Sequence, residues 1–303
     1  MSEANHLVTR YRTSKEKMTT LTDIKKVILL GNLKKRKISE AVKNLEPWLK
    51  KRTQVIIHDL ANETETGVAE ADIAIVLGGD GALLSACRRL GEHQIPIVGV
   101  HLGKFGFLTE LTENDMYTAT EKILDGECKV VPRMLLTCSV QRKQNIIKDS
   151  LGLNDAVISR PALSRLITLK LLINGDEVAT YRTDGLIVST PVGSTAHSLS
   201  AGGPILVPDI DAFIITPICP HTLTNRPIVV PGESRIEIEH LSEHGGVGVT
   251  IDGQVFIELM QGDRIKVEKS NVQLQLIDTG ARTFYEVLRE KLDWGELLKY
   301  GNN

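Results

Sequence analysis

The sequence predicts an α/β N-terminal domain built on a Rossmann-like parallel sheet, then an all-β, sandwich-like C-terminal domain, with a C-terminal helix returning to the first domain. Three observations carry this expectation. Strand and helix signals alternate up to residue 131, short alternating strands fill 132–282, and an amphipathic segment closes the chain over 283–303. A polar tail, residues 1–20, precedes the first domain, which is expected to span 21–131.

In the first domain, Val27 to Leu30 is an apolar run ended by Gly31. Ile38, Ala41, Val42, Leu45 and Leu49 then recur at helical spacing. Val55 to Ile57 reads as a second strand. Ile73 to Leu77 is a third, apolar throughout, as expected of a parallel strand covered on both faces. Ala82 to Leu90 reads as a helix, and "IPIVGVHLG" adds a strand-to-loop step. Repeated β-α-β order implies right-handed crossovers, with ligands collecting beyond the carboxyl ends of the strands. In the second domain, two β-rich runs flank Asn174-Gly175, a hairpin signal. "RIEIEH", "VGVTIDGQ", "RIKVEK" and "VQLQLI" follow as short alternating runs. Helical spacing returns in "TFYEVLREKLDW", whose Phe284, Val287, Leu288 and Leu292 face needs cover from the first domain.

Composition narrows the function classes. The 303 residues are 42% hydrophobic and 24% charged, with a net charge of −2. Such a balance argues against nucleic acid as the main partner, since binders of phosphate backbones carry a clear basic excess. The run Lys34-Lys35-Arg36-Lys37 reads as a solvated helix start. No apolar stretch approaches the roughly 20 residues that cross a bilayer, so no membrane is expected as a partner. The first twenty residues lack the apolar core of a secretory signal. Cys87, Cys128, Cys138 and Cys219 are scattered, without a C-x-x-C pair, and read as reduced, buried thiols. A cytoplasmic protein is expected.

The chemistry concentrates in "IVLGGDGALLSA", Ile75 to Ala86. Gly78, Gly79 and Gly81 free the backbone N–H groups to approach an anion, and a helix starting there adds the partial positive charge of its N-terminus. This suits the phosphates of a nucleotide. Asp80 repels phosphate, so its presence makes sense if it takes a proton from an attacking hydroxyl or holds a metal ion bridging the phosphates. Both are parts of phosphoryl transfer. No G-K-[ST] follows, and G-x-G-x-x-G is absent, so neither a Walker loop nor a plain dinucleotide fold is supported. A second glycine-rich stretch, Thr183 to Ile205, runs from a core strand into a loop of hydroxyls that opens a short polar helix. Exposed donors there suit a ligand with sugar and amide groups. Asn154-Asp155, at a strand start, could grip ribose hydroxyls.

Together "LGGDG", "GVHLGKFGFLTE", "LND", "YRTDGLIVSTPVGSTAHSLSAGGPI", "ITPICPHTLTNRPIVV" and "DGQ" resemble the NAD kinase family in order and spacing, over Val27 to Trp294. The glycine-aspartate motif alone is shared with diacylglycerol, sphingosine and phosphofructokinase-like kinases; the long second motif is specific. The resemblance implies transfer of the terminal phosphate of ATP to the 2′-hydroxyl of NAD's adenosine ribose, giving NADP and ADP. It also implies a divalent metal (Mg²⁺ or Mn²⁺) whose ligands it does not assign, and a homodimer or homotetramer with the NAD site near the subunit boundary. Carried over by position, Asp80 would be the general base, with Gly81 at the reacting ribose and Gly78 and Gly79 in the phosphate loop. Phe107 would line the dinucleotide pocket. Asn154 and Asp155 would hold ribose hydroxyls. Arg165 and Arg182 match contact positions, and Asp184 the acidic contact toward the nicotinamide end. Thr195, Ala196, His197, Ser198, Leu199 and Ser200 would form the main wall, closed by Gln254, and Val192 holds a further contact position.

The sequence departs from the family at three of these positions. Asp155 stands where Glu is commoner and reaches less far. Val192 replaces a common Thr, losing a hydroxyl. His197 replaces a common Tyr and can titrate near neutral pH, so NAD affinity is expected to weaken as pH falls through its ordinary value of about 6.5. Two other functions compete with this one. A lipid kinase of the same superfamily would need an apolar acyl pocket, against which the polar Thr195–Ser200 loop argues. A silent NAD-binding sensor would have no use for Asp80.

Overall fold

The computed structural model describes residues 19–295, apart from 22, 62–70, 104, 161–165, 223 and 244. The first strand is a two-residue β1 (Thr19–Thr20). The α/β layer then runs β2 (Lys26–Gly31), α1 (Arg36–Leu49), β3 (Gln54–Asp59), β4 (Ile73–Leu77), α2 (Asp80–Leu90), β5 (Ile97–His101), β6 (Leu111–Thr112) and α3 (Met116–Leu124). Its strands lie parallel in the order β3-β2-β4-β5. Every residue of β4 and β5 is buried, which is why neither strand alternates. One face carries Leu29, Ile75 and Val98 beneath the Ile38, Ala41, Val42, Leu45 and Leu49 stripe of α1. The other carries Ile28, Val76 and Ile97 beneath Leu83, Ala86, Cys87 and Leu90 of α2.

The second half holds β7 (Lys129–Arg142), β8 (Asn145–Gly152), β9 (Asp155–Ser159), β10 (Ile167–Ile173), β11 (Asp176–Thr183) and β12 (Gly185–Ser189). A 3₁₀ turn, Val192–Thr195, leads into the short α4 (His197–Ser200). After it come β13 (Ala212–Ile218), β14 (Ile228–Pro231), β15 (Ile236–His240), β16 (Val247–Ile251), β17 (Val255–Leu259), β18 (Arg264–Asp278) and α5 (Phe284–Leu292). Two sheets face each other across one core. Leu136, Leu169, Ile238 and Val267 come from one sheet; Ile158, Val188, Phe213 and Val249 come from the other, whose order is β14-β13-β12-β9-β16-β17. The β10–β11 hairpin turns at Asn174 and Gly175, with φ of 54° and 93°, the left-handed pair that such a turn requires.

The halves share a sheet. β18 pairs with β15 at its start and with β5 at Leu276, so one twelve-stranded sheet runs from β3 to β11. "RIKVEK" and "VQLQLI", read above as separate strands, form this one strand. An irregularity between Lys269 and Gln273 interrupts its register with β7, and the alternation lost there hid the continuity. Residue 131, the expected end of the first domain, falls inside β7, whose Val130 packs in the α/β core and whose Leu136 packs in the sandwich.

The last helix returns as expected. Thr283 and Glu286 cap α5 reciprocally, and Val287 and Leu288 are buried. Lys291 Nζ donates to the Phe105 carbonyl, while the Arg282 guanidinium sits 4.2 Å above the Phe105 ring.

Candidate active site

The glycine turn leaves the carboxyl end of β4. Gly78 is buried with φ of 151°, and a Cβ there would stand 2.8 Å from that of Ala82. Gly79 is the N-cap of α2, so the first N–H groups of that helix open toward the turn. They face a cleft of ≈ 800 Å³. Among the described residues, Lys35, Arg88 and Arg89 line it and no acidic side chain does. Arg88 is held by Gln254 Oε1 at 2.8 Å and Arg89 by the Leu60 carbonyl at 2.7 Å, so both cations are fixed at the rim. The arrangement attracts anions.

Asp80 opens α2 but turns its carboxylate toward the loop after β5. It accepts from the Phe107 N–H at 2.8 Å, the Leu108 N–H at 3.1 Å and the Thr109 hydroxyl at 3.2 Å. A Cβ on Gly106 would lie 2.0 Å from Asp80 Oδ1, so only glycine admits the approach. Three of about four acceptor positions of the carboxylate are thereby used. Phe107 and Leu108, held this way, line a second cavity together with Val192 and Thr195. Asp80 thus stands between a basic cleft and a more enclosed, mixed cavity.

The second glycine-rich stretch is zipped onto the Asn154 turn. Thr190 N–H donates to the Asn154 carbonyl at 2.9 Å, and its hydroxyl donates to that of Leu153 at 2.5 Å. Gly193 presses on the same turn: a Cβ there would be 2.0 Å from the Asn154 carbonyl oxygen. From behind, buried Asp252 gathers the N–H groups of Leu153, Asn154 and Asp155 at 2.9, 2.8 and 3.2 Å. Burial nevertheless holds the Asp252 carboxyl above its usual range, against those three donors. Gln254, two residues on, donates to the Gly81 carbonyl at 2.8 Å and closes the turn against α2.

The other expected contact residues differ in exposure and partners. Asp155 is fully buried, with both oxygens 3.1 Å from His197 Nδ1. That hydrogen bond, opposed by partial burial, raises the His197 pKa above its ordinary value. Ser198 is buried behind the wall with its hydroxyl 2.9 Å from that of Thr216. Thr195, Ala196 and Leu199 are half-buried, Ser200 is exposed, and Val192 lines the second cavity. Arg182 and Asp184 are exposed where β11 passes into β12. Five residues of β12, roughly 17 Å of strand, separate Asp184 from the Thr190–Ser200 loop. Arg165 lies outside the described residues.

Reading the sequence missed five residues of this site. Arg88 and Arg89 follow Gly81 and Ser85 at helical spacing, a signal open to reading. Lys35, which the sequence places in a solvated helix start, is exposed, yet it also lines the cleft. Glu110, which lines the second cavity, and Asp252 stand within the quoted "GVHLGKFGFLTE" and "DGQ", but the sequence reading gives neither a role. Among the cysteines, Cys219 is exposed rather than buried.

Residues 44–128 match the family model described as the ATP-NAD kinase N-terminal domain, and residues 153–279 match the ATP-NAD kinase C-terminal domain. The NAD kinase of Geobacter metallireducens is 43% identical over 282 residues, covering 90% of this chain and 100% of that protein. The chain belongs to the NAD kinase family. The NAD kinase of Geobacter sulfurreducens is 49% identical over 226 residues, covering 75% of this chain and 80% of that protein. Among solved structures, an NAD kinase from Archaeoglobus fulgidus in complex with ATP gives a TM-score of 0.70 at 27% identity, covering 87% of this chain and 97% of that one. Yeast NADH kinase complexed with NADH shares the fold, with a TM-score of 0.83 at 24% identity over 92% of this chain and 91% of that one.

Proposed function

We propose that this NAD kinase family member transfers the terminal phosphate of ATP to the 2′-hydroxyl of the adenosine ribose of NAD, releasing NADP and ADP. The observation that carries the reading is Asp80, a carboxylate between a cleft that attracts phosphate and a cavity bordered by Phe107, Val192 and Thr195. A ribose hydroxyl is a very weak acid, so the base removes its proton late, as the bond to phosphorus forms. Asp80 retains about one acceptor position for that hydroxyl. Lys35, Arg88, Arg89 and the N-terminus of α2 stabilise the charge of the transferring phosphate.

The chain's residues fit a divalent ion that arrives on the donor. Among the described residues, no group of three or more His, Cys, Asp or Glu could hold a metal. Magnesium needs only one or two carboxylates when phosphates and water complete its shell. Asp80, the carboxylate of the phosphate loop, would hold it only through water, since its remaining acceptor position serves the hydroxyl. When bound, the ion would neutralise phosphate charge.

The exposed Asp184, a strand's length from the loop it was expected to assist, supports the expectation of a homodimer or homotetramer in which one subunit completes the site of another. A cytoplasmic setting belongs to the same proposal; no described helix is long and apolar enough to cross a membrane. Neither the lipid kinase nor the sensor gains support from the family match. Incubating the protein with ATP, magnesium and NAD tests the reading. NADP should accumulate, and its absence with a folded, NAD-binding protein would favour the sensor.

A further inference from the structure

The glycine turn is open on a second flank, and a histidine stands there. A cleft of ≈ 380 Å³ shares Lys35, Gly78 and Gly79 with the basic cleft and adds Arg36 and Lys37. His101, the last residue of β5, lines it and is only 9% exposed. Its Nδ1 lies 3.1 Å from the Gly103 carbonyl oxygen, which can only accept, so Nδ1 carries a proton. Nε2 is buried and, among the described residues, has no hydrogen-bond partner. Native proteins seldom leave such a group without one.

The charged groups around the ring come from several elements. Lys35, Arg36 and Lys37 open α1, and Arg36 is paired with Glu40 at 2.7 Å. Asp80 opens α2, with its carboxylate turned onto the Phe107–Thr109 loop. Asp115, before α3, is within electrostatic reach and is held by the Thr112 hydroxyl at 2.6 Å. The Phe105 ring meets the imidazole edge to face at 5.5 Å, and Arg282 and Lys291 lie over Phe105. With Nδ1–H committed to Gly103, a neutral His101 presents a lone pair at Nε2. An ionised phosphate oxygen presents lone pairs too, and the two repel. A proton between them turns the repulsion into a charge-assisted hydrogen bond, and phosphate charge beside the ring favours that proton.

We propose that His101 takes up a proton as the donor's phosphates bind the glycine turn and donates a hydrogen bond from Nε2 to one of their oxygens. The inference rests on the NAD kinase reading and links ATP binding to pH through one residue outside the turn. The bound state holds the extra proton, so ATP affinity weakens as pH rises and protons become scarcer.

The test is calorimetric titration with ATP and magnesium, without NAD, across about pH 6 to 8. Two buffers of different ionisation heat count the protons taken up on binding. The parent, His101→Gln and His101→Phe are each titrated, and NADP formation by the parent decides the kinase reading separately. His101→Gln shares every proton that the nucleotide and the other groups gain or lose, so its difference from the parent isolates the imidazole. If His101 binds phosphate, the parent takes up more protons than His101→Gln, by up to about one per site. Its Kd for ATP also rises more steeply with pH, by up to about tenfold per unit. His101→Phe keeps the ring packing but has no donor. It raises the Kd for ATP about 10- to 100-fold at the acid end and leaves that for NAD unchanged. Equal proton counts and pH slopes in the parent and His101→Gln overturn the proposal. So does a His101→Phe that binds ATP like the parent, because a histidine that merely packs against Phe105 would change thermal stability and nothing else.

Discussion

Asp80 holds three donors and is also the expected proton acceptor, so replacing one of its oxygens separates the two roles. Asp80→Asn keeps one acceptor oxygen for the Phe107–Thr109 loop and is expected to bind NAD while losing about 10²- to 10⁴-fold in turnover. Single-turnover NADP formation beside NAD titration checks this; near-parent turnover would remove Asp80 from the chemistry. His197 offers a pH test. Its folded pKa is raised by Asp155, so the pair's contribution to stability is complete below about 6.5 and is lost as pH rises through the folded value. NMR titration of the ring should place its pKa above 6.5, and Asp155→Asn should bring it down. Because Asp155 shields the imidazolium, any fall in NAD affinity on acidification should begin above the value expected from the sequence alone. The thiols sort by burial: Cys87 and Cys138 are pushed up to about 12, whereas Cys219 is exposed. One thiol per chain should therefore react rapidly with a disulfide reagent in the native protein, and Cys219→Ser should abolish that phase.

The elements that form the site were legible where periodicity was uninterrupted. The α1 stripe, the uniformly buried β4 and β5, the Asn174-Gly175 hairpin and the capped α5 all follow from spacing and turn chemistry. β18 was not, because an irregular register broke its alternation. The join between the Asn154 turn and the 190–195 turn was equally hidden, since it depends on Gly193 meeting a backbone 39 residues away (193 less 154). Gly193→Ala should force the two turns apart at a cost of about 3 kcal/mol. That should appear as a lower thermal midpoint with a larger loss of NAD affinity than of ATP affinity. An unchanged midpoint would mean the two turns can separate freely.

At the scale of the whole molecule, the position of Asp184 makes a separable prediction. If one subunit completes another's site, Asp184→Ala raises the KM for NAD far more than that for ATP. Mixing it with Asp80→Asn under exchange conditions then restores activity, because mixed assemblies pair an intact Asp80 with an intact Asp184. Activity that merely averages the two variants would confine the site to one chain.

The sequence by itself determined the class of each half, the glycine-aspartate phosphate turn and the family, because these depend on spacing within a few dozen residues. Only the tertiary structure decided where the carboxylates point. Asp80 is turned onto a loop 27 residues on, Asp155 onto a histidine 42 residues on, and Asp252 onto a turn about 98 residues back. Each of these long-range pairings depends on how β5, α4 and the β16–β17 hairpin converge. Among the described residues, the buried Glu110 Oε2 has no hydrogen-bond partner, as β7, β18 and α5 engage their own charges elsewhere. Periodicity specifies which face of an element is buried; which polar group then meets which across the buried interface depends on the assembled chain.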